Sequence, residues 1–185
     1  LTATHLYASR TRNPDSFGAD DVLRVGDATE AALWAVKDDE EIYVGTTKDI
    51  YRISGDWSKG ADGVLNVLKV PLGVGSPPIS SAFAKDGDVL IYLASDGWRV
   101  LGTQGTIIGD LDLLYRGYER HGVQAVNISS ATARFRCAIS KGMFTAVTPE
   151  GSDTTHSKVL HRYKFGIQRW YRHTYTPSWR SIYRE

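Results

Sequence analysis

The sequence has few of the features that most directly announce a chemistry. Its 185 residues hold one cysteine, which excludes an internal disulfide and a cysteine-built metal cluster and leaves the compartment unmarked. That residue, Cys137, lies in the alternating string ARFRCAIS (133–140) and reads as a core thiol rather than a nucleophile. Charge of one sign is not in excess: 22 Lys and Arg stand against 21 Asp and Glu, so no global field draws the chain to nucleic acid or membrane. No apolar run approaches the roughly 18 residues of a membrane-spanning helix. The chain opens at Leu1 with neither Met nor a signal-like apolar block, which points to a start upstream and to a fragment.

A repeated hairpin is present. EIYVGTTKDIYRISG (41–55) returns as VLIYLASDGWRVLG (89–102) and, more faintly, as RCAISKGMFTAVTPEG (136–151). Their turns, at Thr47 to Ile50, Ser95 to Trp98 and Ser140 to Met143, stand 48 and 45 residues apart, counted from 47 to 95 and from 95 to 140. Periods of about 40–50 residues belong to propeller blades. The flanks alternate as strands do, with Ile42 and Val44 before one turn, and Ile91 and Leu93 before the next. Two repeats share an earlier hairpin, in AALWAVKDDEEIYV with a turn expected at Asp38-Asp39 and in SSAFAKDGDVLIYL with a turn expected at Asp86-Gly87. Further strands fit GVLNVLKVPLG (63–73) and VLHRYKFGIQRWYRHTY (159–175), the latter as a hairpin across Gly166-Ile167.

The expected fold is therefore all-β, built of propeller-like repeats of four-stranded antiparallel blades with a period of about 45–48 residues. The units run from about 27 to 75, 76 to 127 and 128 to 178. Residues 1–26 read as the end of a preceding blade, and 179–185 as the start of another. Open blade faces leave apolar surface and unpaired edges uncovered, so the region 1–185 is expected to be part of a larger propeller, ahead of a closed ring of four blades. GDLDLLYRGYERHG (109–122) breaks the pattern: Leu111, Leu114, Tyr115 and Tyr118 are spaced as on a helix. A short helix near 111–121 is expected on a blade edge, with Tyr115 and Tyr118 as contact residues.

A search for catalytic or metal-binding sets finds none. Ser152, Asp153 and His156 are the residue types of a nucleophile relay, but such a relay is judged by geometry, and GSDTTH reads as a polar loop. His121, His161 and His173 lack a compact ligand spacing. The acids of KDDEEI (37–42) read as a solvated turn. Neither the Asp-box of sialidases nor WD-type pairing is present, and GDLDLL turns apolar where calcium ligands should follow. Asn127-Ile128-Ser129 is a glycosylation sequon only in a secreted eukaryotic chain. No catalysis, metal or cofactor is expected.

Charge is segregated along the chain. Acids dominate from Asp15 to Glu41, whereas after Val159 only Glu185 opposes Arg162, Lys164, Arg169, Arg172, Arg180 and Arg184, with Trp170, Tyr171 and Trp179 among the interleaved rings. Three readings fit this composition. It suits an outer blade strand with aromatics inward and Arg outward, a protein interface rich in Tyr, Trp and Arg, or a nucleic-acid contact in which Arg meets phosphate and rings stack on bases. Arg162, Lys164, Arg169, Trp170, Arg172, Trp179 and Arg180 are the candidate contact residues.

The strings LYASRTRNPDSF, YVGTTKDIYRISG, YLASDGWRVLG, VPLGVGSPPISSAFAKDGDVL and HRYKFGIQRWYRH together resemble the propeller domains of tailed-phage virion proteins. The nearest type is the tail hub or nozzle family of short-tailed phages, which includes packaged-DNA stabilisation proteins. The resemblance covers nearly the whole chain and lies in a recurring order of a small-residue strand, a turn and an aromatic-rich strand. It implies a structural protein located in the virion, in the phage tail, without enzymatic activity. Its implied partners are copies of itself and neighbouring tail or portal-adaptor proteins, with non-specific contact to packaged DNA and none with a membrane. The alternative is an extracellular or periplasmic propeller module that holds a glycan or peptide by stacking on Trp57, Trp98 or Trp170.

Overall fold

A computed structural model of the chain describes residues 5–7, 22–55, 65–72, 77–95, 97–101, 135–149 and 159–174. These are almost entirely antiparallel strands, and they divide into two compact units, Leu1–Leu72 and Gly73–Glu185.

In the first unit the alternating runs become β1 (His5–Tyr7), β2 (Val22–Arg24), β3 (Ala32–Asp38), β4 (Glu41–Thr46), β5 (Ile50–Gly55) and β6 (Leu65–Lys69). The last four form one sheet in the order β3-β4-β5-β6, and β1 pairs with β2 as a separate two-stranded ribbon. Ile42, Val44 and Ile53 share a sheet face because Ile42 lies opposite Ile53 and Val44 opposite Tyr51. With Val25 they form a core, against which Leu6, Leu23, Leu65 and Val67 pack. A two-stranded ribbon is marginal by itself, and Leu6 and Leu23 anchor this one to that core.

The second unit contains β7 (Pro78–Asp86), β8 (Val89–Ala94), β9 (Gly97–Leu101), β10 (Arg136–Ser140), β11 (Met143–Thr148), β12 (Val159–Lys164) and β13 (Arg169–Thr174). They make a three-stranded sheet, β7-β8-β9, and a four-stranded one, β10-β11-β12-β13. The first strands of the two sheets, β7 and β10, lie side by side. One face of each sheet meets the other across Ala82, Ala84, Ile91, Leu93, Trp98, Ile139, Phe144, Ala146 and Tyr163. Trp98 sits edge-on to Phe144, with ring centroids 5.0 Å apart, and to Phe135 at 6.2 Å. Burial of large apolar side chains stabilises by about 1.5–3 kcal/mol each, so this aromatic seam is the chief force joining the two sheets. All of β8 from Leu90 to Ala94 is buried, which means that both faces of the β7-β8-β9 sheet are covered.

The turns show how closely the repeat is kept. Asp38 pairs with Glu41, and Asp86 with Val89, so the turn residues are Asp39-Glu40 and Gly87-Asp88, each pair one residue later than the sequence suggests. Asp39 and Gly87, 48 positions apart, take positive φ of 49° and 54°, which Asp and Gly tolerate. Lys141 and Gly142 both have positive φ, 50° and 70°, as a primed hairpin turn requires. This last turn joins the first two strands of its sheet, whereas Thr47 and Ser95 follow the second strand of theirs. The third repeat is therefore displaced by one strand from the alignment of the turns, because a short Lys-Gly turn looks alike at either place. The turn after β4 is not of the primed kind: Thr46 N donates to Asp49 O (2.8 Å), and Thr46 Oγ1 accepts from Asp49 N (3.0 Å).

Among the described residues the only helical element is a 3-10 turn, Phe165–Ile167. The helix expected near 111–121, with Tyr115 and Tyr118, lies outside the described residues, as do the expected 179–185 strand start and most of residues 1–26.

Candidate functional site

The sequence directs attention to the β12–β13 hairpin, and the local geometry explains its layout. The 3-10 turn reverses the chain, with Gln168 in the left-handed region (φ 49°) and its N–H donated to Phe165 O. Phe165 N also donates to Gly142 O at 3.1 Å, which ties the tip to the neighbouring turn. The register places His161 opposite Arg172, Tyr163 opposite Trp170, Arg162 opposite Tyr171 and Lys164 opposite Arg169. Successive side chains alternate between faces. Val159, His161, Tyr163, Trp170 and Arg172 thus share the core face, and Arg162, Lys164, Arg169, Tyr171 and His173 share the opposite one.

The core face is largely closed. Trp170 is half-buried, tilted on Tyr163 at 4.6 Å and edge-on to Phe144 at 6.4 Å. It is a packing residue more than an open contact, and its Nε1 has no partner among the described residues. At the outer end Arg172 reaches solvent and donates to Thr174 Oγ1 at 3.2 Å. His161 is 1% exposed, with Nδ1 3.4 Å from Thr148 Oγ1.

The opposite face is open along its outer rows. Lys164 and Arg169 are exposed, Tyr171 is 44% exposed and Arg162 is half-buried. One of the three readings of this segment has aromatics inward and Arg outward; Trp170 follows that pattern, and Tyr171 stands outward among the cations. Trp179 and Arg180 lie outside the described residues. Of the rings considered for stacking on a glycan, Trp98 is 1% exposed inside the core, Trp170 packs inward and Trp57 is outside the described residues.

A polar cluster in the first unit went unread in the sequence. Glu30 is 3% exposed, yet its carboxylate is fully engaged. Oε2 accepts from Thr46 Oγ1 at 2.6 Å, and Oε1 from Tyr51 OH at 2.9 Å and Asp27 N at 3.2 Å. Lost water, then the hydrogen bond to Glu30 and its charge, push the Tyr51 hydroxyl well above its ordinary pKa. Beside it Asp27 accepts from the Thr29 hydroxyl and N–H and from Lys48, and these donors, Thr29 first, hold its carboxyl down to about 2. The only sequence clue was an acid between small residues, GDATEAA (26–32).

The hydroxyls beside an acid or an imidazole, Thr46 and Tyr51 on Glu30 and Thr148 near His161, are part of buried or half-buried hydrogen-bonded pairs. Among the described residues no three His, Cys, Asp or Glu side chains converge as metal ligands. Cys137 packs against the core, where loss of water pushes its thiol pKa well up, the opposite of an activated thiol. Glu41 contacts Arg52 at 3.7 Å and accepts from Tyr43 OH, while Asp39 and Glu40 are exposed at the turn tip. No protein-family model and no curated protein matches the chain.

Proposed function

We propose that the chain is the propeller part of a structural virion protein of a tailed phage, of the tail hub or nozzle kind or associated with the tail. It docks onto neighbouring tail and portal-adaptor subunits and onto copies of itself, helps to retain or conduct packaged DNA, and catalyses nothing. The observation that carries the reading is the conjunction of fold and string. Antiparallel sheets follow one another along the chain, those that open with β3 and β7 beginning 46 residues apart, from 32 to 78, and the first strands β7 and β10 of the last two are adjacent. The sheets carry the small-residue strand, turn and aromatic-rich strand by which the sequence resembles such propellers. An open basic hairpin with an exposed ring suits docking, because Arg and Tyr are the residue types enriched where protein surfaces meet.

The test is particle association. Particles purified from the source should contain this protein in fixed stoichiometry after sedimentation, and electron microscopy should place it on the tail. Recovery only from the supernatant, as an isolated protein, overturns the reading. Of the rings on which a glycan or peptide would stack in the alternative reading, Trp98 is enclosed in the core and Trp170 packs on Tyr163 and Phe144.

A further inference from the structure

The sheet β10–β13 is chemically one-sided. Its described residues, 135–149 and 159–174, contain six Arg and Lys (Arg136, Lys141, Arg162, Lys164, Arg169, Arg172) and no Asp or Glu. Three of the six gather with Tyr171 on the outer rows of the face opposite the aromatic seam, whose inner row, Val147 and Leu160, is buried. Lys164 stands directly opposite Arg169, a like-charge pairing that weakens a sheet. Among the described residues no carboxylate is salt-bridged to either. One row along, Arg162 lies opposite the exposed ring of Tyr171, and its buried Nε has no hydrogen-bond partner among the described residues. A cluster of unneutralised cations flanking an exposed ring is unfavourable in isolation and favourable against a polyanion that also has flat faces.

We infer that this face binds a single-stranded nucleic acid, with phosphates against Arg162, Lys164 and Arg169 and a base stacked on Tyr171. Same-face residues of a strand are about 7 Å apart, close to the spacing of successive phosphates on an extended strand. Stacking on an aromatic side chain requires an unpaired base; a duplex presents only its phosphates here and leaves Tyr171 unused. An acidic polypeptide supplies charge but no ring-sized flat face. The inference rests on the reading of this hairpin as a contact surface. Its failure leaves the virion reading intact, because particle association is measured separately.

The test is fluorescence anisotropy with a labelled oligothymidylate of about 16 nucleotides at about 50 mM salt, beside a duplex of equal length and poly-glutamate as competitor. The full chain should prefer the single strand. Tyr171→Ala should weaken binding about fivefold or more. Lys164→Glu should weaken it about tenfold while leaving the melting temperature unchanged or higher, since it sets a carboxylate opposite Arg169 and so separates loss of binding from loss of fold. Lys37→Glu makes the same change in net charge on a lysine of the first unit and should bind as the parent does. Absence of single-strand binding overturns the inference. So does equal duplex binding unaffected by Tyr171→Ala, which assigns the face to phosphates alone, and so does preferential binding of poly-glutamate, which assigns it to an acidic protein.

Discussion

The hydroxyl of Thr46 donates to the carboxylate of Glu30 at 2.6 Å across sixteen residues of chain, with both side chains buried. This bond joins the loop before β3 to the turn after β4. Without it a buried carboxylate oxygen loses its donor, and leaving a buried polar group unpaired costs about 1–3 kcal/mol, more when it is charged. Thr46→Val should therefore destabilise the first unit by about 2 kcal/mol, read from the urea midpoint. Glu30→Ala should cost at least as much, because Thr46, Tyr51 and Asp27 N–H lose their acceptor together. An unchanged midpoint in both variants would show that the cluster contributes nothing to stability.

Gly45 lies opposite Trp34 in the β3–β4 ladder, and the indole covers it so closely that a Cβ there would run into the ring. Trp34 is 5% exposed and has little room to retreat. Gly45→Ala should cost about 1–3 kcal/mol by overpacking. Combining it with Trp34→Leu should cost less than the sum of the two single changes, since the second removes the obstacle to the first.

Tyr51 supplies the pH dependence. Its folded pKa stands above the ordinary 10.0 because the neutral hydroxyl is buried and donates to Glu30. The stabilisation is fully present below pH 10 and is lost as pH rises beyond it. Asp27 acts at the other end: its carboxyl falls from 3.8 to about 2 on folding, so its contribution is present above about pH 4 and disappears as pH falls through about 2. Thermal melts should show a fall in stability above pH 10 that Tyr51→Phe reduces. An identical alkaline limb in parent and variant would exclude Tyr51 as its source.

Cys137 provides a probe of the second unit. Its raised thiol pKa and its place against the core predict slow reaction with an aromatic disulfide reagent at about pH 8 in the folded protein and rapid reaction in urea. Fast reaction of the folded protein would contradict the packing described for β10.

The repeat was legible because period-two alternation is physical: a strand with one face in the core must alternate, and Ile42, Val44, Ile91 and Leu93 do. Turn positions were legible to within one residue, because Asp and Gly tolerate positive φ at several neighbouring places, and the ladder pairing of Asp38 with Glu41 decides among them. The strand phase of the third repeat was not legible. Lys141-Gly142 satisfies a primed turn wherever it falls, and only the pairing of β10 with β11 shows that it opens the sheet. The basic hairpin was read from Arg162 to Arg172 because cations without neighbouring acids are visible in composition. Glu30 was hidden by the same kind of reasoning: it lies in an acidic stretch, and its burial depends on Thr46 and Tyr51, which come close to it only after the strands pair.

The complete burial of β8 from Leu90 onward bears on how the second unit comes apart. Its amides are shielded by a sheet that shares its side-chain core with the neighbour, so neither sheet can open without exposing the other's Trp98, Phe144 or Leu93. Backbone amides of β8 and β11 should therefore exchange with deuterium as one cooperative class, slower than β13, whose side chains are nearly all at the surface. The outer strand β13 would then be the first part of this unit to open, while β12 stays with the seam through the buried Tyr163.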